Sequence, residues 1–188
     1  MKKNRVTVLH SGGIDSTATI HFYKKMGYEI TSLYIDYGQV SNKYEKKAVK
    51  KLSSFYKVKL NIIKVNSNKS FHEGLVSGRN LFLLSAALMY TKMKTGIICI
   101  GIHKGTDYID CSKEFLHNVN QIFTQYSNGK ISANAPFVDM SKMDIFQYCI
   151  LEGVPLNMTY SCERGVFPKC DNCKTCKEIK KLHDSRQN

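Results

Sequence analysis

Short apolar runs and longer amphipathic stretches alternate along this chain. Residues 5–10 read as a first strand. In the stretch 15–26 that follows, Ile14, Ala18, Phe22 and Met26 recur at i, i+4 steps, which predicts one buried helical face closed by Gly27. Residues 29–35 predict a second strand, ending at Asp36-Tyr37-Gly38-Gln39. Residues 42–56 predict a charged helix that turns Ala48, Val49, Leu52 and Phe55 inward. A third strand is expected at 58–65, a polar loop at 66–73 and an apolar helix at 79–94, closed by Gly96. Residues 97–101 are uniformly apolar and predict a strand central in its sheet. Helices are expected at 112–126 and 141–152; the second opens with Ser141-x-x-Asp144, a capping-box spacing, and closes at Gly153. Residues 184–188 read as a frayed tail. Strands alternating with helices predict an α/β fold: an open parallel sheet with helices on both faces and ligands beyond the strand C-terminal ends. Ser11, Asp36 and Gly101 each follow a strand, where that rule places a site.

Where the first strand meets the first helix the chain reads His10-Ser11-Gly12-Gly13-Ile14-Asp15-Ser16. Glycines let the backbone approach an anion closely, and the first N–H groups of a helix have no internal partner. With the helix dipole and the Ser11 and Ser16 hydroxyls they make a phosphate cradle. A side chain at Gly12 is expected to fill the anion's space. The Walker spacing is absent. Asp15 reads either as a carboxylate favoured at a helix start or as a group near a metal. Arg79, just after Gly78 and before Asn80, opens a helix and offers a two-donor fork for phosphate or carboxylate.

Cys162, Cys170, Cys173 and Cys176 form a C-x7-C-x2-C-x2-C pattern. Short C-x-x-C spacings let thiolates converge on one ion, and a more distant cysteine closes the tetrahedron. The reading is a structural Zn²⁺ site, with an iron–sulfur cluster as rival. Cys99 and Cys149 read as core, whereas Cys111, beside Asp110, opens a helix after a loop and is a site candidate. At 188 residues the chain suits one domain with a sizeable core. No apolar run approaches the ~20 residues of a membrane span, and the four residues between the basic N-terminus and His10 are too few for a signal h-region, so a cytoplasmic protein is expected. The net charge of +13 suits an anionic partner, but the lysines are dispersed and no RNA-module signature accompanies them, so nucleic acid is not the expected partner.

The Ser11–Ser16 loop resembles the SGGxDS pyrophosphate loop of the PP-loop ATP pyrophosphatases. Taken with DYGQ (36–39), GRN (78–80), DC (110–111), AP with SK (135–142) and YSCERGVFPKCDNCKTC (160–176), the chain resembles the 7-cyano-7-deazaguanine synthase family of that superfamily from about residue 5 to 178. The resemblance implies an ATP-binding domain at 1–158 and a zinc-binding element, loop and helix, at 159–183. It implies ATP, Mg²⁺ and Zn²⁺ as cofactors, a deazaguanine carboxylate and ammonia as small-molecule substrates, and a homodimer. The reaction it implies is adenylation of 7-carboxy-7-deazaguanine, amidation, and a second activation that leaves a nitrile. Ser11, Asp15, Ser16 and Arg79 would act in catalysis. His10, Gly12, Gly13, Asp36, Tyr37, Gly38, Gln39, Gly78, Asn80, Gly101, Asp110 and Cys111 would complete the nucleotide and substrate site. The chain departs from the family pattern at Val40 and Ser41 (usually a basic residue and a histidine), at Ser77 (usually proline) and in shorter loops before Gly78 and between Gly101 and Cys111. These departures fall around the expected base and acceptor pocket. Alternatives are a synthase-like ligase that passes the activated deazaguanine to another amine, for example in phage defence, a PP-loop enzyme acting on tRNA, and a non-enzymatic zinc-ribbon protein.

Overall fold

The structure, a computed structural model, describes residues 4–66, 68–72, 74–106 and 108–184. Among these, β1(Arg5–Leu9), β2(Glu29–Asp36), β3(Lys59–Lys64), β4(Gly96–Ile100) and β5(Ile131–Asn134) form one sheet in the order β3-β2-β1-β4-β5, with every pairing parallel. The helices are α1(Ile14–Lys25), α2(Asn42–Phe55), α3(Arg79–Tyr90), α4(Lys113–Ser127), α5(Lys142–Leu151) and α6(Lys174–Asp184). Strand alternation sorts the core into two layers. Leu9, Leu33, Ile35, Ile98 and Ile100 face Leu84 and Ala87 of α3 and Leu116, Val119 and Phe123 of α4. Val6, Val8, Ile30 and Cys99 face Ile20 and Tyr23 of α1 and Ala48 and Leu52 of α2. A third cluster joins Ile14 and Ala18 of α1 to Ile145, Phe146 and Cys149 of α5 and Leu182 of α6.

Four of the five strands fall where the apolar pattern places them. The strand β5 escapes it, because only Ile131 and Ala133 of its four residues turn inward and the alternates are Ser132 and Asn134. The centre of the sheet is β1, and β4 lies between β1 and β5. The expected stripe of α1 is divided. Ile14 and Ala18 meet α5, Ile20 and Tyr23 meet the sheet, and Met26 is 55% exposed at the end. Held between sheet and helix, α1 also buries Ser16, Thr17 and Thr19; Thr17 and Thr19 satisfy their hydroxyls on the carbonyls of Gly13 and Asp15. Phe55, expected inward, is 52% exposed at the last position of α2. The helix α3 stops at Tyr90, four residues early, where Thr91 turns extended. The Ser141/Asp144 capping box is present with both of its reciprocal bonds. Of the expected tail, Asp184 closes α6 and 185–188 lie outside the described residues. No described helix is long and apolar enough to cross a membrane.

The strand order reverses at β1. The chain winds outward through β2 and β3, then returns by α3 to β4 on the other side of β1. Side-by-side strands whose crossovers depart in opposite directions leave a crevice at their C-terminal ends. The Ser11–Ser16 loop leaves β1 there, and Gly101 leaves β4.

Candidate active site

A cavity of about 550 Å³ opens over this crevice, within the roughly 300–1,000 Å³ of small-molecule sites. Its floor is the loop after β1. Gly12 takes a left-handed φ of +79°, and Gly13, extended, is the N-cap of α1. No side chain caps this helix, so the N–H groups of Ile14, Asp15 and Ser16 keep the orphan character of a helix start. Ser11 Oγ lies 3.2 Å from Ser16 Oγ, and both residues line the cavity. Beside them Asp15 Oδ2 accepts from Lys142 Nζ at 2.5 Å. Their side chains are 20% and 12% exposed. Lysine in a first helical turn opposes the dipole of its own helix, so the Asp15 partnership is what favours Lys142 there. Asp15 Oδ1 is buried and has no hydrogen-bond partner among the described residues.

The two glycines of the loop do different work. A Cβ on Gly12 would stand 3.0 Å from Ala48 Cβ and 3.2 Å from the Glu45 carbonyl, against α2 and away from the cavity. A Cβ on Gly13 would stand 3.4 Å from both Ser11 Oγ and Ser161 Oγ, among the hydroxyls. The space among the hydroxyls is therefore bounded by Gly13, and Gly12 supplies the turn. Gly101 is a third case. Its Cβ would meet Asp15 C and Ser16 N at 2.9 Å, so the missing side chain lets β4 and the first turn of α1 pass at backbone contact.

Further wall residues follow β2 and β4 and open α3. Tyr37, Gln39 and Ser41 follow β2, and Arg79 and Asn80 open α3. His103, Tyr108 and Cys111 follow β4. Arg79 Nε donates to Asn80 Oδ1 at 3.3 Å. Burial raises the Tyr37 hydroxyl, opposed by the neighbouring Arg79 charge. Glu45 accepts from Ser41 Oγ at 2.7 Å, Tyr34 OH at 2.9 Å and Gln39 Nε2 at 2.9 Å, which fixes the wall behind the loop. Burial raises the Cys111 thiol, and Asn80 Nδ2 lies 3.9 Å from its sulfur.

Several residues expected in the site stand behind it instead. Asp36 is buried and bonded to Lys46 Nζ of α2 at 3.0 Å, off the cavity wall. Gly38, at φ +95°, lets residues 69–71 run alongside; a Cβ would strike the Lys69 carbonyl at 2.7 Å. Gly78, also left-handed, is the N-cap of α3, and Asp110 accepts from the backbone N–H of Asn80 at 3.3 Å. His10 touches the cavity but is 1% exposed, with Nδ1 2.9 Å from Ser32 Oγ. Burial lowers its pKa to about 3, so the ring is neutral at physiological pH. Of the departures from the family pattern, Ser41 lies on the wall and Val40 and Ser77 do not, while the shorter loop between Gly101 and Cys111 brings His103 and Tyr108 to the wall and has residue 107 outside the described residues. Sequence reasoning missed Lys142 and Ser161 as wall residues. Lys142 carried a signal, a cation at a predicted helix start.

The four cysteines converge. Their sulfurs all lie within 4.8 Å of one another, with Cys170 and Cys176 sulfurs 3.9 Å apart. Zn–S bonds of about 2.3 Å in a tetrahedron place sulfurs close to that far apart, so the donor set is compatible with zinc. Burial pushes the Cys162 thiol up, but hydrogen bonds from the Cys170, Val166 and Arg164 backbone bring it down to about 6. Cys162, Cys173 and Cys176 are buried in the same cluster as Val6 and Val8. Cys99 and Cys149 are fully buried core thiols.

A reversed-order parallel sheet carrying this loop at its crevice defines the fold of the PP-loop ATP-using enzymes. Solved structures agree on the fold. An NMN synthetase from Francisella tularensis matches with a TM-score of 0.53 at 21% identity, covering 97% of this chain and 77% of that one. An NH3-dependent NAD synthetase from Campylobacter jejuni matches with 0.54 at 18%, covering 99% and 76%. Within that class, the family model "Queuosine biosynthesis protein QueC" matches residues 5–75 and 66–185, and the chain belongs to this family of enzymes. It is 29% identical to the 7-cyano-7-deazaguanine synthase of Caldicellulosiruptor saccharolyticus, over 93% of this chain and 88% of that protein. Desulfitobacterium hafniense has two such synthases, 30% and 32% identical, over 98% and 94% of this chain and 94% and 86% of theirs.

Proposed function

We propose that this chain uses ATP to activate the carboxylate of 7-carboxy-7-deazaguanine and converts it, through the amide, to 7-cyano-7-deazaguanine. The observation that carries the reading is the uncapped start of α1 facing the cavity with the Ser11 and Ser16 hydroxyls, beside Asp15 and Lys142. A carboxylate oxygen attacks the α-phosphorus of ATP and the bond to the bridging oxygen breaks. Pyrophosphate departs, leaving an acyl adenylate. Negative charge accumulates on the departing pyrophosphate, and donors already aimed at it need no reorganisation. Ser11, Ser16 and the first N–H groups of α1 are those donors, with the Lys142 ammonium near them.

Ammonia then attacks the acyl carbon, AMP leaves and a proton is lost, giving the amide. The amide oxygen attacks the α-phosphorus of a second ATP and expels pyrophosphate, and loss of AMP with two protons leaves the carbon–nitrogen triple bond. Arg79 retains N–H donors beyond its bond to Asn80, suited to phosphate or to the substrate carboxylate. The Tyr37 and Phe71 rings, 5.5 Å apart on the wall, offer a surface for a planar base. The unpartnered Asp15 Oδ1 fits a Mg²⁺ ligand. Bound Mg²⁺ would share the charge of the pyrophosphate. The cysteine cluster fits a zinc ion with all four positions closed, a structural site.

The test is AMP and pyrophosphate release from 7-carboxy-7-deazaguanine, ATP and Mg²⁺, with and without ammonia, and mass spectrometry of the product. Amide and nitrile are expected with ammonia. Release driven by deacylated tRNA and not by the carboxylate would replace this reading with a tRNA-modifying one. AMP release ending in a mass other than amide or nitrile would move the acceptor.

A further inference from the structure

The cysteine-bearing segment reaches into the cavity as well as into the core. Tyr160, Ser161, Cys162, Glu163 and Arg164 all lie on the cavity wall. Three contacts set the segment's path. The Tyr160 N–H donates to the Gly12 carbonyl at 2.9 Å, in the turn of the phosphate loop itself. The Tyr160 ring stacks on Tyr44 of α2 at 5.2 Å, and its hydroxyl donates to the Val166 carbonyl at 2.7 Å. Gly165 passes so close to the loop after β2 that a Cβ there would stand 2.3 Å from the Val40 carbonyl. The segment is thus pinned between the phosphate loop and residues 40–41, and residue 161 has little freedom. Immediately after it, Cys162 is buried in the cysteine cluster.

Ser161 is held over Gly13. Its Oγ and that of Ser11 are each 3.4 Å from the point where a Gly13 Cβ would stand, so the two hydroxyls flank the same small space. Ser16 Oγ is 3.2 Å from Ser11 Oγ, on the inner side of the loop. We infer that Ser161 is a pyrophosphate-binding residue, a third hydroxyl of the anion cradle, supplied by the cysteine segment from outside the SGGIDS loop. The inference rests on the proposed role of that loop and adds a residue to it. It gives the cluster a consequence beyond holding the fold: by fixing Cys162 it fixes the hydroxyl one residue before it.

The experiment measures binding of inorganic pyrophosphate with Mg²⁺ by calorimetry, alongside thermal melts, for the full-length protein and its Ser161→Ala, Ser161→Thr and Ser132→Ala variants. Ser132 is exposed on β5 and serves as control. A hydroxyl bonded to a charged group typically contributes enough that its loss weakens binding roughly tenfold. Ser161→Ala is expected to weaken pyrophosphate binding by about that factor with an unchanged melting temperature. Ser161→Thr, which keeps the hydroxyl, is expected to recover most of it, and Ser132→Ala to bind as the parent does. Unaltered affinity in Ser161→Ala overturns the inference while leaving the loop's role intact. Equal loss in the Ala and Thr variants, with lowered melting temperatures, also overturns it and assigns Ser161 to packing. A parent protein that binds no pyrophosphate overturns the loop's role and the inference with it.

Discussion

Alanine at each glycine of the phosphate loop separates the turn from the cradle. At Gly12 the φ of +79° costs an L-residue about 1–2 kcal/mol. The added methyl would press Ala48 Cβ at 3.0 Å and the Glu45 carbonyl at 3.2 Å, an overpacking cost of about 1 kcal/mol or more. Loss of unfolded-chain freedom returns about 0.4–1 kcal/mol. The net is about 2 kcal/mol, which for a chain of this size lowers Tm by roughly 4–8 °C. At Gly13 the backbone is extended, with φ −82°, and the methyl would make ordinary contacts at 3.4 Å. Stability there should shift by less than about 1 kcal/mol. That same methyl would stand between the Ser11 and Ser161 hydroxyls, where a phosphate oxygen would bind. Gly13→Ala is therefore expected to melt with the parent protein and to lose at least tenfold in AMP formation. Gly12→Ala should melt early, with its remaining folded fraction still active. The measurements are thermal melts followed by circular dichroism and an AMP-release assay below both melting transitions. If Gly13→Ala forms AMP at the parental rate, the cradle is misassigned. If Gly12→Ala is as stable as the parent and inactive, the division between the two glycines is reversed.

Purified protein is expected to carry about one zinc per chain by elemental analysis; iron with acid-labile sulfide would identify the rival cluster. Cys173→Ser should lower Tm and the metal content together, since a buried cluster residue links the segment to the sheet. Asp15→Asn takes the carboxylate partner from Lys142 and should cut AMP release steeply at any Mg²⁺ concentration while the protein stays folded; full activity would reject Asp15 as a metal-side group. His10 has its pKa lowered from 6.5 to about 3, so below pH 6.5 the unfolded chain takes up a proton that the folded one refuses. Its stabilising contribution is complete above pH 6.5 and erodes as pH falls toward 3, by about 2 kcal/mol at pH 5. Urea unfolding of the parent and of His10→Phe at pH 7.5 and pH 5 should show a smaller loss in the variant; parallel losses would contradict a neutral buried ring.

The local features were legible in the sequence because each rests on neighbouring residues. An apolar run before Ser11-Gly12-Gly13 and a helical stretch after it specify strand, turn and helix start, and C-x2-C-x2-C specifies thiolates that converge. Four strands, the capping box at Ser141 and the buried states of Cys99 and Cys149 follow from the same kind of local pattern. The short β5 does not, because alternation over four residues carries too little information and its pairing with β4 supplies the rest. Which way each side chain points was likewise decided by distant partners. Gly12 faces α2, Gly101 faces the first turn of α1, and Asp36 turns to Lys46, although all three sit in or just after strand ends, where a ligand would be sought. The pairing of Asp15 with Lys142 spans 127 positions, and only the α1–α5 packing brings the two charges together. Ser161 likewise meets Gly13 because the cysteine segment folds back across the loop. Composition and spacing act between residues close along the chain, whereas this cavity is enclosed by segments from residue 9 to residue 178, and closure through space alone assigns its inner and outer faces.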